Sequence, residues 1–213
     1  MTLPPREVRI RRDALDKLLL YAERCPVEIG GLGTVVEDAD GLLITDVFLL
    51  AQRVSASDTE LDTEALFDFL ARLVADGGDA AQVRLWWHSH ADMDLVWSET
   101  DRATIGSLPG DFWVALLVNR RGEVACRLDA FLPQRQTWEL PLVEVLDTAG
   151  GGPEALCQAI DREILEKVRA YTVVHEVLGN EGMADVPTES PILPLVMESP
   201  RAPRERGDAS KGK

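Results

Sequence analysis

Residues 82 to 101 read "QVRLWWHSHADMDLVWSETD", and the order of residue types in them decides how the chain is built. An apolar, β-prone segment, "QVRLWW", runs directly into His88 and His90. In an extended chain residues i and i+2 point to the same side, so a strand ending here aims both imidazoles at one point. The following "SETDRATIGSL" predicts a helix, and Ser98 and Asp101, three apart at its start, share one edge of the first turn.

The flanking sequence supplies the layers around this unit. "REVRI" predicts a strand leading into a helix over 12–24, with Leu15, Leu18, Leu19 and Ala22 on one face and Pro26 as its stop. "GLGTVVED" and "GLLITDVFLL" around the turn "DADG" predict a hairpin. A helix over 63–76 puts Leu66, Phe69, Leu70 and Leu73 on one stripe, begun by Asp62 and ended by Gly77. Downstream, "FWVALLVN" and "EVACRLDAF" around "RRG" predict a second hairpin, its first strand apolar enough to be buried on both faces, and "TWELPLVEV" a last strand. The sum is an α/β (α+β) sandwich, a mixed β-sheet flanked by helices, over residues 1–145. Past the glycine-rich "DTAGGGP", Leu156, Ile160, Ile164 and Val168 mark an amphipathic helix that caps the core or meets another subunit, giving a helical extension over 146–186. Residues 187–213 are rich in Pro and charge and are expected to be disordered.

Composition narrows the function. With 37 acidic against 22 basic residues the net charge is -15, which repels phosphate backbones, so no nucleic-acid partner is expected. No apolar run reaches the roughly 20 residues of a membrane span and no signal-peptide core opens the chain, so no membrane partner and a cytoplasmic location are expected. The basic residues comprise 18 Arg and 4 Lys, the bias of a GC-rich bacterial genome. Cys25, Cys126 and Cys157 form no CxxC pair and are expected to be reduced and structural.

Two imidazoles and one carboxylate with a fourth position open are the ligand count of a catalytic zinc site, and the same donors also suit non-haem Fe(II). Ser-x-x-Asp is equally a helix N-cap signature. Three other histidine-rich families are excluded. Met93 stands where metallo-β-lactamase-like hydrolases carry a third histidine, an amidohydrolase barrel needs about 250 residues, and the deaminase H-x-E with P-C-x-x-C is absent. Gly30, Gly31 and Gly33 fit no phosphate loop and suggest close backbone approach. Trp86, Trp87 and Trp97 are candidates for lining a peptide groove or, as strand-end aromatics more often do, for the core.

The spacing H-S-H-x7-S-x2-D, met by His88, Ser89, His90, Ser98 and Asp101, strongly resembles the JAMM (MPN+) zinc metalloproteases, in particular their bacterial deubiquitinase-like branch. That family also carries a glutamate upstream, after the first helix and before glycines, and "CPVEIGGLG" supplies Glu28 in that setting. The resemblance spans roughly residues 6 to 131. It implies an MPN/JAB-like fold with Zn2+ on His88, His90 and Asp101. Glu28 would be the general base and Ser98 a hydrogen-bond donor to the oxyanion. The implied activity is cleavage after the C-terminus of a ubiquitin-like protein, in deconjugation or precursor maturation, with E1/E2-like enzymes as pathway partners. The alternative is a non-catalytic MPN-type binding or scaffold module. A RadC-like relative is disfavoured by the acidic charge and by the lack of the "HPSG" continuation after His90. Many relatives carry proline after the second histidine and before the serine, where this chain has Ala91 and Trp97.

Overall fold

The structure is a computed structural model that describes residues 5–54, 59–61, 63–146, 153–177 and 183–195. In chain order the elements are β1 (Val8–Arg11), α1 (Arg12–Arg24), β2 (Gly30–Asp38), β3 (Gly41–Leu49), β4 (Gln52–Val54), β5 (Thr59–Leu61) and α2 (Thr63–Ala75). There follow β6 (Val83–Ser89), α3 (Glu99–Ser107), β7 (Phe112–Val118), β8 (Val124–Ala130), β9 (Gln136–Glu139), β10 (Leu142–Val145), α4 (Pro153–Lys167), β11 (Val168–Val177) and β12 (Met183–Pro191). The two hairpins and the helices α1, α2 and α3 stand where periodicity placed them. Asp62, expected to begin α2, lies outside the described residues, and Gly77 ends that helix at φ +86, a conformation a side chain would resist.

Eight strands form one mixed sheet in the order β10-β1-β3-β2-β6-β7-β8-β9. β6 lies between β2, antiparallel, and β7, parallel, so the strand that carries the histidines has a neighbour on each side. "TWELPLVEV", expected as one strand, is two. Pro141 has no N–H to give to a ladder, and at this point the chain leaves one sheet edge for the other. Leu140 donates to the Cys126 carbonyl at 3.0 Å and Val8 donates to the Pro141 carbonyl at 3.0 Å. The sheet therefore curls until its two outer strands, β9 and β10, are consecutive in the chain.

The curl gives each sheet face its own apolar layer. Along β7, Val114, Leu116 and Val118 join the layer under α1 and α4, while Trp113, Ala115 and Leu117 join the layer under α2 and α3. This is the both-faces burial expected from its uniform sequence. Gly31 permits the close approach of β2 to β3, since a Cβ there would lie 2.0 Å from the Phe48 carbonyl oxygen. Ile160 and Ile164 are buried in the first layer, so α4 caps the core, helped by Tyr21 donating to Glu163 at 2.8 Å and by the Arg24–Asp161 ion pair, while Val168, expected on this helix, is buried in the same layer as the first residue of β11.

The C-terminal part departs from expectation. Helix fills only 153–167 of the anticipated helical extension. β11 then runs parallel to β4 and antiparallel to β12, making a second sheet in the order β12-β11-β4-β5. The expected disordered tail is ordered at its start: β12 extends to Pro191, Ile192 donates to the Val168 carbonyl at 3.4 Å, and Leu195 donates to the Arg24 carbonyl at 2.7 Å. The physical reason is that β12 lies at the sheet edge, bonded to β11 on one side only, where prolines that donate nothing to a ladder are tolerated. The expectation for 196–213 falls outside the described residues. Among the described residues no helix is long and apolar enough to cross a membrane.

Candidate metal centre

His88 is the penultimate residue of β6, and His90 follows the strand directly. Ser89 between them faces the other way: its Oγ accepts from the Ile29 N–H at 2.9 Å, and its N–H donates to the Ile29 carbonyl at 2.7 Å. This double tie fixes the segment bearing Glu28 beside the histidines, and Glu28 Oε2 lies 3.8 Å from His88 Nε2. Gln52 closes the same corner by accepting from Gly30 N–H at 2.9 Å and donating to its carbonyl at 2.8 Å.

Asp101 arrives from the first turn of α3. Ser98 is the N-cap: its Oγ accepts from the Asp101 N–H at 3.0 Å, and the Asp101 carboxylate accepts from the Ser98 N–H at 2.7 Å, a reciprocal capping box. The Ser98 hydroxyl proton also goes to Asp101 Oδ2, at 2.7 Å. The capping and catalytic interpretations of Ser-x-x-Asp thus fall on one side chain.

His88, His90 and Asp101 each offer a ligand atom, all within 4.8 Å of one another. His88 Nδ1 lies 3.1 Å from Asp101 Oδ1, and His90 Nε2 lies 3.7 Å from Asp101 Oδ2. Ligands on a tetrahedral ion with bonds of about 2.1 Å stand about 3.4 Å apart, so the spacing between His90 Nε2 and Asp101 Oδ2 suits such an ion. The buried Nε2 of His88 has no hydrogen-bond partner, which is uncommon in folded proteins and is what a bound cation would remedy. Burial alone would raise the Asp101 carboxyl, yet hydrogen bonds with His88, His90 and Ser98 outweigh it and hold the group well below the usual carboxylate range. Hydrogen bonding to Asp101 raises His90 above the ordinary histidine value, against the lowering effect of burial. An ionised carboxylate only accepts, so His88 Nδ1 carries the proton in that contact.

All five residues singled out from the sequence, Glu28, His88, His90, Ser98 and Asp101, therefore meet at one place. The tryptophans do not line a groove. Trp86, Trp87 and Trp97 are 6%, 0% and 6% exposed and belong to the two apolar layers, Trp87 stacking on Tyr21 at 5.5 Å and Trp86 lying 5.7 Å from the His88 ring. Ser89, part of the matched spacing, was given no role by the sequence and works on backbone groups; residues the sequence did not flag include Gln52, which also works on backbone groups, and Arg127. Arg127 is buried with Asp129 through two bonds of 2.6 Å and lies 5.2 Å over the Trp97 ring, immediately before Ser98. An arginine and an aspartate at i and i+2 on a strand share a face, and that was the only available signal.

No protein-family model and no curated protein matches the chain. Among solved structures, the solution structure of protein DSY2949 from Desulfitobacterium hafniense is similar, with a TM-score of 0.51 and 14% identity over 66% of this chain and 94% of that one. At that identity the likeness concerns the fold, and the chemistry has to be argued from the site.

Proposed function

We propose that the protein is a zinc-dependent isopeptidase or peptidase of JAMM type that cleaves after the C-terminal tail of a ubiquitin-like protein. The observation that carries the proposal is the convergence of His88, His90 and Asp101 within 4.8 Å, with Glu28 Oε2 3.8 Å from the unpartnered His88 Nε2. His88, His90 and Asp101 would hold the ion. Zinc, when bound, supplies a Lewis acid that brings the pKa of water toward about 7.

The rest falls to the chain. Glu28, half-buried at the site's edge, takes a proton from the attacking water as its oxygen bonds to the carbonyl carbon. It then hands that proton to the departing nitrogen as the C–N bond breaks, because an amine leaves poorly unless protonated. Ser98 donates to the oxyanion of the tetrahedral intermediate. To do so its O–H must turn away from Asp101 Oδ2, a carboxylate oxygen that accepts less strongly once a cation shares its charge. The ubiquitin-like substrate and the E1/E2-like partners rest on the motif resemblance.

The deciding experiment combines metal analysis with turnover. Protein purified without added metal is expected to contain zinc rather than iron, and to release a reporter amine from a ubiquitin-like C-terminus. Chelator and Glu28→Ala are each expected to abolish release, the latter with zinc retained. Zinc-loaded wild type that binds such a tail without cleaving it would instead identify a scaffold module.

A further inference from the structure

Ala91, directly after His90, has φ 40, and it is the one non-glycine residue with positive φ among the described residues. A methyl-bearing residue in that region costs roughly 1–2 kcal/mol, and such strain persists only where neighbours over-determine it. Proline, with φ locked near about −65°, cannot adopt it. The chain therefore takes a turn after its second histidine that the proline of many JAMM relatives would forbid.

What holds that turn is the connection between β7 and β8. Arg120 donates its N–H to the Ala91 carbonyl at 2.8 Å and its guanidinium to Asp92 at 2.9 Å. Arg121 reaches the Asp92 carbonyl at 2.8 Å, the Met93 carbonyl at 3.3 Å and the Asp94 carboxylate at 2.9 Å. Buried Asn119 donates to the Met93 carbonyl at 3.2 Å. Within the loop so held, the Asp94 carbonyl lies 3.0 Å from His90 Nδ1. A carbonyl only accepts, so Nδ1 must carry the proton, and Nε2, 3.7 Å from Asp101, is left to face the site.

We propose that Arg121 is a positioning residue for His90: by gripping the carbonyls of Asp92 and Met93 and the carboxylate of Asp94 it sets the Asp94 carbonyl that fixes the ring's tautomer and orientation for metal. The proposal deepens the zinc assignment and rests on it. Exposed Arg–carboxylate pairs contribute little by themselves, so the weight lies on the carbonyl contacts, which a simple charge pair would not need. Outer-shell partners that orient a ligating histidine have effects of this kind on metal affinity.

The test compares the full chain with Arg121→Ala and with Arg72→Ala, the latter a charge control on the solvent side of α2. Zinc is titrated against a chromophoric chelator, and the ring nitrogens of His90 are followed by NMR on metal-free protein, well above the histidine titration. Arg121→Ala is expected to keep the melting profile of the metal-free wild type, to bind zinc about tenfold more weakly, and to show mixed His90 tautomers. Arg72→Ala is expected to match wild type in all three. Zinc affinity within about twofold of wild type in Arg121→Ala, or a pure Nδ1–H tautomer retained there, overturns the proposal. If the wild-type chain does not bind zinc, the zinc assignment itself fails, while the tautomer measurement still decides whether Arg121 sets the ring.

Discussion

Ser98→Ala separates what a cap does from what a catalytic donor does. In the folded protein the substitution removes two bonds. The Asp101 N–H loses its acceptor at 3.0 Å, and the Asp101 carboxylate loses a donor at 2.7 Å while keeping the Ser98 N–H and the contact with His88. A lost cap costs about 1 kcal/mol, and a hydrogen bond to a charged group about 1.5–3. Together these come to roughly 2–4 kcal/mol, or about 5–15 °C in the melting temperature of a chain this long. Domains of this kind have about 5–15 kcal/mol in hand, so the variant remains folded at 25 °C. Measured there, on protein shown by circular dichroism to be fully folded and loaded with zinc, kcat for reporter release should fall about 10²- to 10³-fold. Ser98→Thr keeps the hydroxyl and should restore most of both losses. Folded, zinc-loaded Ser98→Ala with kcat within a few-fold of wild type would refute the donor role and leave Ser98 as a cap alone.

Zinc binding should weaken with acid. His90 is raised above its unfolded value of about 6.5, so in the metal-free fold its protonated form is stabilising below that pH and the contribution is lost as pH rises through the raised value. A ligand must be unprotonated, so the zinc Kd, followed by chelator competition, should rise up to about tenfold per pH unit below that raised value; a flat profile from pH about 8 to 6 would exclude His90 as a ligand. Asp101 is held low and remains ionised throughout this window. Asp129→Ala strands the Arg127 guanidinium in the core at a cost of about 3–5 kcal/mol; calorimetry should show it, and an Arg127→Met, Asp129→Leu pair should recover most of the loss. Burial pushes the Cys25 thiol up to about 11 and the Cys126 thiol up to about 12, so an aromatic disulfide reagent near neutral pH should modify half-buried Cys157 first and the other two only on unfolding.

The helices and hairpins were legible because each buries a face whose period shows locally: Leu66, Phe69, Leu70 and Leu73 do pack as one stripe, and "FWVALLVN" is indeed covered on both sides. The five site residues were legible because strand-end and helix-start chemistry lie in one short stretch, with Glu28 brought by the motif resemblance. The second sheet was not. "VRAYTVVHEV" is rich in β-branched residues, but it follows α4 without a breaker and its partner β4 lies more than a hundred residues earlier, so its own sequence did not show the sheet it joins. Nor could the sequence show that the Asp94 carbonyl meets His90, since a backbone oxygen carries no residue-type signal.

The strand next to one margin of the main sheet also sets when that sheet can be completed. β1 is synthesised first but pairs with β3 on one side and with β10 on the other, Val8 opposite Leu142. A nascent chain released before residue 145 would leave β1 with one margin bare, and bare strand margins recruit other chains. Contacts of such sequence separation slow folding. Until β10 emerges, one margin of β1 therefore stays open to such recruitment.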